Sequence, residues 1–501
     1  MSTERGHLSA EVRRIGDDLR RLVGDGDLAP AVETVLRRLD EPLRVAIAGR
    51  TKAGKSTLLN ALVGERLAAT DAGECTRIVT WYRHDLGYRV VAELRPAGSV
   101  ELPFRRQDGA LLIELDGRDP DQIERIEVGW PARRLAESTL IDTPGLGSAD
   151  EATSARTVQA LLDEDDDRPG EADAVIYLMR HLHRYDARFL EAFIDRSLAH
   201  ASPVNAIVVL SRADELGAAR PDALESARTV AARYAADERI RGLASAVVPV
   251  AGLIAETGVT LREQQVSWLR QIASLPEDRR TALLRSVDRF RDADLNPLGS
   301  DIREELLERF GLFGLRLSVG LLADERVRTA TQLSQALLAA SGIDELQQIV
   351  GERFAARSST LRARSALAAL KAIADELGRR AIPGAVEVGA DIERVEAGSE
   401  QLALLRLLHL VMVGLVEASP AERLEVDRLT GSTTAAERAG LGPGASPDAV
   451  RSVALDRIEH WRGRGSNPLS DRRAVEAADI VVRAYEQIFA AADGDRTSPP
   501  D

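Results

Sequence analysis

The stretch GRTKAGKST, residues 49–57, limits the possible folds of this chain more than any other feature of its sequence. It fits the pattern G-x-x-x-x-G-K-[ST] and lies between a short apolar run, RVAIA, and a helical pattern, STLLNALVG. A strand, a glycine-rich loop and a helix in this order surround nucleotide phosphates with backbone N–H groups and the positive end of the helix dipole. We expect the Lys55 ammonium to bridge the β- and γ-phosphates and the Ser56 hydroxyl to ligate Mg²⁺. The residues predicted to bind the phosphates are Thr51, Lys52, Ala53, Gly54, Lys55, Ser56 and Thr57.

Short apolar runs rich in β-branched residues alternate with helical patterns in the first half of the chain. They are RVAIA (44–48), STLID (138–142), ADAVIYLM (172–179) and VNAIVVL (204–210). This alternation is typical of a mostly parallel sheet with helices on both faces. Between about residues 77 and 131, stretches of alternating polarity predict extra strands at the edge of the sheet. These stretches are TWYRH, YRVVAELR, ALLIELDG and IERIEVGW.

Helical patterns occupy both ends of the chain. Apolar residues between 8 and 23 recur at spacings of three and four, which predicts one helical stripe. After about residue 340 the strand signal vanishes, and residues 344–377 form one long helical pattern that ends at Gly378 and Pro383. We therefore divide the chain into N-terminal helices (1–40), an α/β domain (41–340), an all-α helical bundle (341–492) and a short disordered tail (493–501).

Two further motifs are predicted to reach the phosphates. In IDTPG, residues 141–145, Asp142 would hold Mg²⁺ through water and the Gly145 N–H would reach the γ-phosphate. Thr76 lies 21 residues after Lys55, a spacing that suits a switch loop whose threonine closes over Mg²⁺ and the γ-phosphate. Thr70 and Thr80 are alternatives to Thr76 in this role.

The segment SRAD, residues 211–214, follows an apolar strand at the place where a guanine-reading motif [NT]-K-x-D is expected. It departs from that motif at Ser211 and Arg212 but keeps Asp214, whose carboxylate can accept from the ring N–H and the amine of guanine. The planar head of Arg212 can lie along the base, as the lysine stem would. Ala251 and Gly252, in VPVAG, suit a weaker base-contacting loop.

Composition excludes several classes of protein. A net charge of −14 argues against binding to nucleic acid and against broad binding to anionic lipid. The single cysteine, Cys75, excludes an internal disulfide and fits a reducing cytosol. The N-terminus has no signal-peptide pattern, and the apolar segments 306–323 and 402–416 contain charges that favour buried core helices over membrane spans. We expect a cytoplasmic protein.

Beyond these motifs, the sequence resembles the bacterial dynamin-like GTPases, and among them the actinobacterial isoniazid-inducible proteins. The resemblance runs from about residue 40 to at least residue 460, nearly the whole chain. The segments that carry it are AIAGRTKAGKSTLLNALVG, TRIVTWYRH, SRADELGA, LLERFGLFGLRLSVGLLA and SGIDELQQIVGERFAARSSTLRA. The gap of 66 residues between Thr76 and Asp142, which leaves room for the extra strands, also separates this chain from small Ras-like GTPases.

The resemblance implies a P-loop GTPase head, with GTP and Mg²⁺, joined to helical neck and trunk bundles. It implies that the N-terminal helix (7–23) folds back onto helices of the C-terminal half. It also implies nucleotide-dependent homodimers through the heads, a paralogous dynamin-like partner, and fission, fusion or repair at the inner face of the phospholipid membrane. The alternative from a different functional class is a low-turnover GTP-binding switch or scaffold that recruits partners without acting on membranes.

The predicted hydrolysis site lacks one familiar side chain and contains an unexpected one. Ras-like enzymes orient the attacking water with a glutamine directly after the D-x-x-G turn, where this chain has Leu146. The resemblance implies that a monovalent cation, supported by a phosphate-loop serine, supplies charge instead, but Lys52 stands at that serine's position. We hypothesise that the Lys52 ammonium replaces the cation; the alternative is that it points to solvent or across the dimer. The predicted catalytic residues are Lys52, Lys55, Thr76 and Gly145.

Overall fold

The computed structural model describes residues 2–68, 78–95, 98–107, 110–145, 172–181, 203–432 and 434–494. Strands and helices are numbered in chain order over these residues. The strands are β1 (Leu43–Gly49), β2 (Val79–His84), β3 (Arg89–Leu94), β4 (Ser99–Glu101), β5 (Phe104–Gln107), β6 (Ala110–Ile113), β7 (Ile123–Trp130), β8 (Ser138–Asp142), β9 (Ala174–Met179), β10 (Ala206–Ser211) and β11 (Ala246–Val250).

The helices of the described residues lie before, between and after these strands. They are α1 (Ser2–Val23), α2 (Ala29–Arg38), α3 (Lys55–Val63), α4 (Leu216–Ala219), α5 (Ala223–Ala236), α6 (Glu238–Arg241), α7 (Gly252–Val259), α8 (Glu263–Ala273), α9 (Glu277–Leu283), α10 (Val287–Arg291), α11 (Ser300–Ala323), α12 (Ala330–Ser341), α13 (Ile343–Arg353), α14 (Ser358–Arg379), α15 (Ala385–Gly398), α16 (Glu400–Met412), α17 (Pro420–Gly431), α18 (Ala435–Arg438), α19 (Pro447–Gly465) and α20 (Arg472–Gly494).

One mixed sheet organises the first half of the chain. Within the described residues it has nine strands in the order β11-β10-β9-β1-β8-β2-β7-β3-β4. β1 is parallel to β8 and β9, and β10 and β11 continue the parallel half. Strands β9 and β10 are buried along their whole length because both of their faces are covered, which explains their continuous apolar runs. The predicted mostly parallel α/β sheet is confirmed.

The strands predicted at the sheet edge form as expected, with one exception. β2, β7, β3 and β4 extend the sheet beyond β8 through a mixture of parallel and antiparallel pairs. The exception is the segment ALLIELDG, which contributes β6 to a separate two-stranded sheet with β5. Leu111 of β6 is buried, and its N–H donates to the Arg66 carbonyl, so this hairpin is held against the loop after α3.

We call the sheet with helices α3 to α12 the head, and helices α1, α2, α14 and α15 the neck. The apolar stripe of α1 packs against α14 and α15 in one shared core, in which Val12, Ile15 and Leu19 meet Leu370 and Ile392. The first helix of the chain and its C-terminal half therefore build a single bundle.

Helices α16, α17, α19 and α20 form a second bundle, which we call the trunk. Leu405 on α16, Trp461 on α19 and Tyr485 on α20 are buried in its core. Ser419 and Glu422 form a capping box that starts α17. Neither this bundle nor any other described part of the chain contains a helix with the length and apolarity needed to cross a membrane.

The continuous helix predicted over residues 344–377 is wrong, because the chain breaks between α13 and α14. A 3₁₀ turn, Ala355–Arg357, separates the two helices. The Arg357 side chain is only 1% exposed and donates to the side chain of Asp427 on α17 at 2.7 Å, and Arg353 donates to the same oxygen at 2.8 Å. The turn aims both guanidinium groups at one carboxylate, a contact that local helical periodicity cannot reveal.

We expect the substitution Asp427→Asn to lower the free energy of unfolding by about 3 kcal/mol, because it leaves a buried guanidinium without its counter-charge. Urea unfolding of the nucleotide-free protein, followed by circular dichroism, measures this change. The matched control is Asp456→Asn, since Asp456 is exposed on α19. A loss no larger than that of the control would contradict the proposed importance of the contact.

Candidate nucleotide-binding site

The phosphate loop connects the end of β1 to the start of α3, as the motif predicts. Gly54 adopts a left-handed conformation, φ 96° and ψ 26°, directly before Lys55 begins the helix. Lys55 is buried, and its ammonium donates to the Gly49 carbonyl at 3.4 Å. Burial lowers the pKa of Lys55, and the negative charge of Asp142 counteracts this effect. The loop therefore holds a desolvated cation beside the first turn of the helix.

Asp142 lies next to this loop because β8 pairs with β1, placing Asp142 opposite Ile47. The Ser56 hydroxyl donates to Asp142 Oδ2 at 2.9 Å. The other carboxylate oxygen, Oδ1, is buried and has no hydrogen-bond partner among the described residues. Burial raises the pKa of Asp142, while the Lys55 charge opposes this rise.

This arrangement fits a divalent cation such as Mg²⁺. A buried carboxylate oxygen without a partner, next to a serine hydroxyl, offers two hard oxygen groups of the kind that bind such a cation directly or through water. No group of three His, Cys, Asp or Glu side chains that could hold a metal exists among the described residues. Mg²⁺ is commonly held by one or two carboxylates together with phosphates and water, and Asp142 is a carboxylate in such a position.

Gly145, which follows β8, packs closely against the phosphate loop. A Cβ atom at Gly145 would lie 2.7 Å from the Cα of Thr51, so a larger residue requires the backbone to shift. The preceding turn is fixed because the Thr143 hydroxyl donates to the Ile47 carbonyl at 2.9 Å. The IDTPG turn is thus brought to the phosphate loop, as its sequence predicts. Thr76, predicted to complete this half of the site, lies outside the described residues.

A pocket beside the phosphate loop unites the residues predicted to hold the base. Asp214 is 6% exposed, and burial raises its pKa to about 6. The Ser211 hydroxyl donates to the Met179 carbonyl at 3.3 Å, which ties the end of β10 to β9. The residues that line the pocket are Ala53, Gly54, Thr57, Leu58, Leu178, Val209, Ser211, Arg212, Asp214, Glu215, Val250, Gly252 and Leu253.

Arg212 links the base pocket to the phosphate loop. Its guanidinium donates to the Lys52 carbonyl at 3.0 Å and to the Glu215 carboxylate at 2.6 Å. Lys52 and Arg212 are both left-handed, with φ of 63° and 54°. The Lys52 side chain is exposed. Sequence reasoning missed Glu215, although its position three residues after Arg212 in RADE is a usable signal.

The two residues predicted in the base-contacting loop are placed differently. Gly252 lines the pocket, whereas the Ala251 N–H donates to the Ser341 carbonyl at 2.8 Å and so anchors the loop to the end of α12. Leu253, which the sequence reasoning did not select, lines the pocket directly after Gly252. An apolar residue at the start of the helix that follows β11 is the signal that could have found it.

Comparisons with known proteins agree with this site. Residues 44–211 match the family described as 50S ribosome-binding GTPase. The chain is 39% identical over 469 residues to the isoniazid-induced protein IniC of Mycobacterium tuberculosis (strain ATCC 25618 / H37Rv), covering 93% of both chains. It is 27% identical over 251 residues to the isoniazid-induced protein IniA of the same strain, covering 48% of this chain and 36% of IniA.

A solved structure described as an oligomerised bacterial dynamin pair, with a mechanism for long-range sensing and tethering of membranes, aligns with a TM-score of 0.32. It is 16% identical and covers 98% of this chain and 76% of that chain. A structural similarity this low supports no inference about the present chain. The alignment with IniC runs over nearly the whole of both proteins, and it confirms the resemblance inferred from the motifs. The chain is a GTPase and belongs to the IniC family.

Proposed function

We propose that this GTPase couples nucleotide-dependent homodimerisation of its heads to remodelling of the cytoplasmic membrane, as in fission, fusion or repair, and acts as a peripheral protein at the inner membrane face. The observation that carries the proposal is the direct contact of the head, through Asp173, with a bundle built from the N-terminal helices and from helices of the C-terminal half. A change in the shape of the head with its nucleotide would thereby move the neck.

The junction between head and neck supports this coupling. Asp173, directly before β9, accepts from the Arg44 backbone N–H at 3.0 Å and from the Arg38 guanidinium at 3.3 Å. On the neck side, the Arg362 guanidinium of α14 donates to the Glu41 carbonyl. Asp173 is 5% exposed, so these contacts are shielded from solvent and are stronger than equivalent surface pairs.

In the proposed hydrolysis site, Lys55 binds the β- and γ-phosphates, and the Gly145 N–H donates to the γ-phosphate. Ser56, Thr76 and, through water, Asp142 would hold Mg²⁺, which when bound neutralises charge that develops on the phosphate oxygens. Asp214 accepts from guanine, while Arg212 lies along the base. The exposed Lys52 side chain extends from the loop that faces the phosphates, where its ammonium supplies the charge that a monovalent cation would otherwise supply.

Assembly completes the proposal. The heads of two copies pair in the GTP-bound state, and a paralogous dynamin-like protein is a second partner, which the relationship to IniA supports. The alternative is a low-turnover switch or scaffold that binds GTP without acting on membranes. The net charge of −14 favours this alternative because anionic lipid repels an acidic protein.

The raised pKa of Asp214 predicts that guanine-nucleotide affinity depends on pH. The carboxylate is mostly ionised above pH 6 and mostly protonated below it, and only the ionised form can accept both guanine donors. We expect the affinity for GDP to fall about tenfold between pH 7 and pH 5. Fluorescence titration at both pH values measures this fall. Asp214→Asn provides the matched control, and a tenfold fall in that variant as well would assign the effect to the nucleotide phosphates.

The role of Lys52 predicts that turnover does not depend on potassium. Wild-type turnover should be equal with and without K⁺, whereas Lys52→Ser should lose about 10³-fold and regain activity when K⁺ is added. The assay is phosphate release under saturating GTP, and Lys371→Ser is the control because Lys371 is half-exposed on α14. Potassium-dependent activity of the wild type would rule out the Lys52 hypothesis.

Membrane action is tested by co-sedimentation with vesicles of anionic or zwitterionic lipid and by electron microscopy, with and without GTP. We expect GTP-dependent binding and altered vesicle shape, either alone or with the paralogous partner, and no response in Lys55→Ala. Vesicles that remain unbound and unchanged under all these conditions would favour the scaffold.

A further inference from the structure

A cluster of buried and half-buried polar groups lies behind the nucleotide site and has no part in the chemistry described above. At its centre is Glu256 on α7, which is 3% exposed. Its Oε1 atom accepts from the Asn60 amide at 3.2 Å and from the Arg66 guanidinium at 3.0 Å. Burial raises the pKa of Glu256, and the charges of Arg66 and Arg309 counteract this rise. We call Asn60, Arg66, Glu256, Thr260 and Arg309 the Glu256 cluster.

The Asn60 side chain connects this cluster to the chain that leaves α3. Its carbonyl oxygen accepts from the backbone N–H groups of Leu67 and Ala68 at 2.9 and 2.7 Å. Its NH₂ group donates to the Ala68 carbonyl at 3.1 Å and to Glu256. The amide of a fully buried asparagine is thus used in all four of its hydrogen-bonding positions, which fixes both the orientation of Asn60 and the path of Leu67 and Ala68.

The far side of the cluster is fixed by α11. Arg309 donates to both oxygens of Thr260 at the end of α7, and the Thr257 hydroxyl donates to the Arg309 carbonyl. Two residues later, Gly311 interrupts the helical geometry of α11 with φ 60° and ψ 177°. Glu256 therefore stands between a fixed helix end and the chain that leaves the phosphate-loop helix.

The base pocket has supports of its own. The Ala251 N–H is held by the Ser341 carbonyl, and the Ser334 hydroxyl donates to the Gly258 carbonyl at 2.7 Å. A Cβ at Gly258 would lie 3.0 Å from Leu338, so α7 also packs closely on α12. Loss of the Glu256 contacts thus leaves α7, and with it Gly252, in place.

We propose that Glu256 is a positioning residue for GTP hydrolysis, which acts through Asn60 and Arg66 to fix where the chain leaves α3 toward residues 69–77. This inference rests on the proposed role of Thr76, which belongs to those residues. A displacement of one ångström in a catalytic group can cost about 10²-fold in rate. GDP lacks the γ-phosphate, so its affinity does not depend on that placement. The signature of Glu256 is a lower kcat with unchanged GDP affinity.

The test exchanges the amide and the carboxylate. Asn60→Asp keeps oxygens that accept from Leu67 and Ala68, but it removes the donor to the Ala68 carbonyl and places a second carboxylate against Glu256. We expect kcat to fall about tenfold, within the cost of a small displacement. The double variant Asn60→Asp with Glu256→Gln replaces the repulsion between the two carboxylates with a hydrogen bond, while the Ala68 carbonyl still lacks its donor, so kcat should recover to within about threefold of wild type. GDP affinity should stay within about twofold in both variants. Glu263→Gln, at an exposed residue on α8, is the control.

An unchanged kcat in folded Asn60→Asp, the absence of recovery in the double variant, or a parallel loss of GDP affinity would each overturn the inference. If Asn60→Asp does not fold, the comparison uses Glu256→Gln and the double variant: a slower single variant supports the inference, and equal kcat values overturn it. Thr76→Ala is measured alongside. If the turnover of Thr76→Ala equals that of wild type, the proposed hydrolysis site is wrong. If Thr76→Ala is inactive while the Asn60 and Glu256 variants all keep the kcat of wild type, only the role of Glu256 is wrong.

Discussion

The pairing of β8 with β1 is the contact on which the nucleotide site depends. It sets Asp142 opposite Ile47, beside the start of α3, and so brings a buried carboxylate to Ser56 and Lys55. A shift of this register by one residue would turn Asp142 to the other face of the sheet. Desolvation acts against both Lys55 and Asp142, which favours occupation of the site by phosphate and a cation over the empty state.

A second constraint joins the two halves of the site. Arg212 replaces the usual lysine of the base motif, yet its guanidinium still reaches the phosphate loop at the Lys52 carbonyl, while Glu215 holds it in place. Both Lys52 and Arg212 are non-glycine residues in the left-handed region, at a cost of about 1 kcal/mol each.

The elements that sequence reasoning identified are those whose signals are local. Buried strands, the phosphate loop and the IDTPG turn each carry a short pattern, and the fold of the sheet follows from them. The break before Arg357 was missed because the partner of Arg357, Asp427, is 70 residues away. The Glu256 cluster was missed for the same reason, since Asn60 and Glu256 are 196 residues apart. A single polar residue within an apolar helical pattern does not indicate which distant group forms a hydrogen bond with it.

Strand β9 connects the nucleotide end of the head to the neck. At its carboxyl end, the Met179 carbonyl accepts from Ser211 beside the base pocket, and at its amino end Asp173 binds Arg38 and Arg44. Its six residues span about 20 Å, and all are buried. A strand that is packed on both faces resists bending, since protein interiors have low compressibility. Strand β9 is therefore a stiff connection between the base pocket and Asp173, which lies at the junction with the neck.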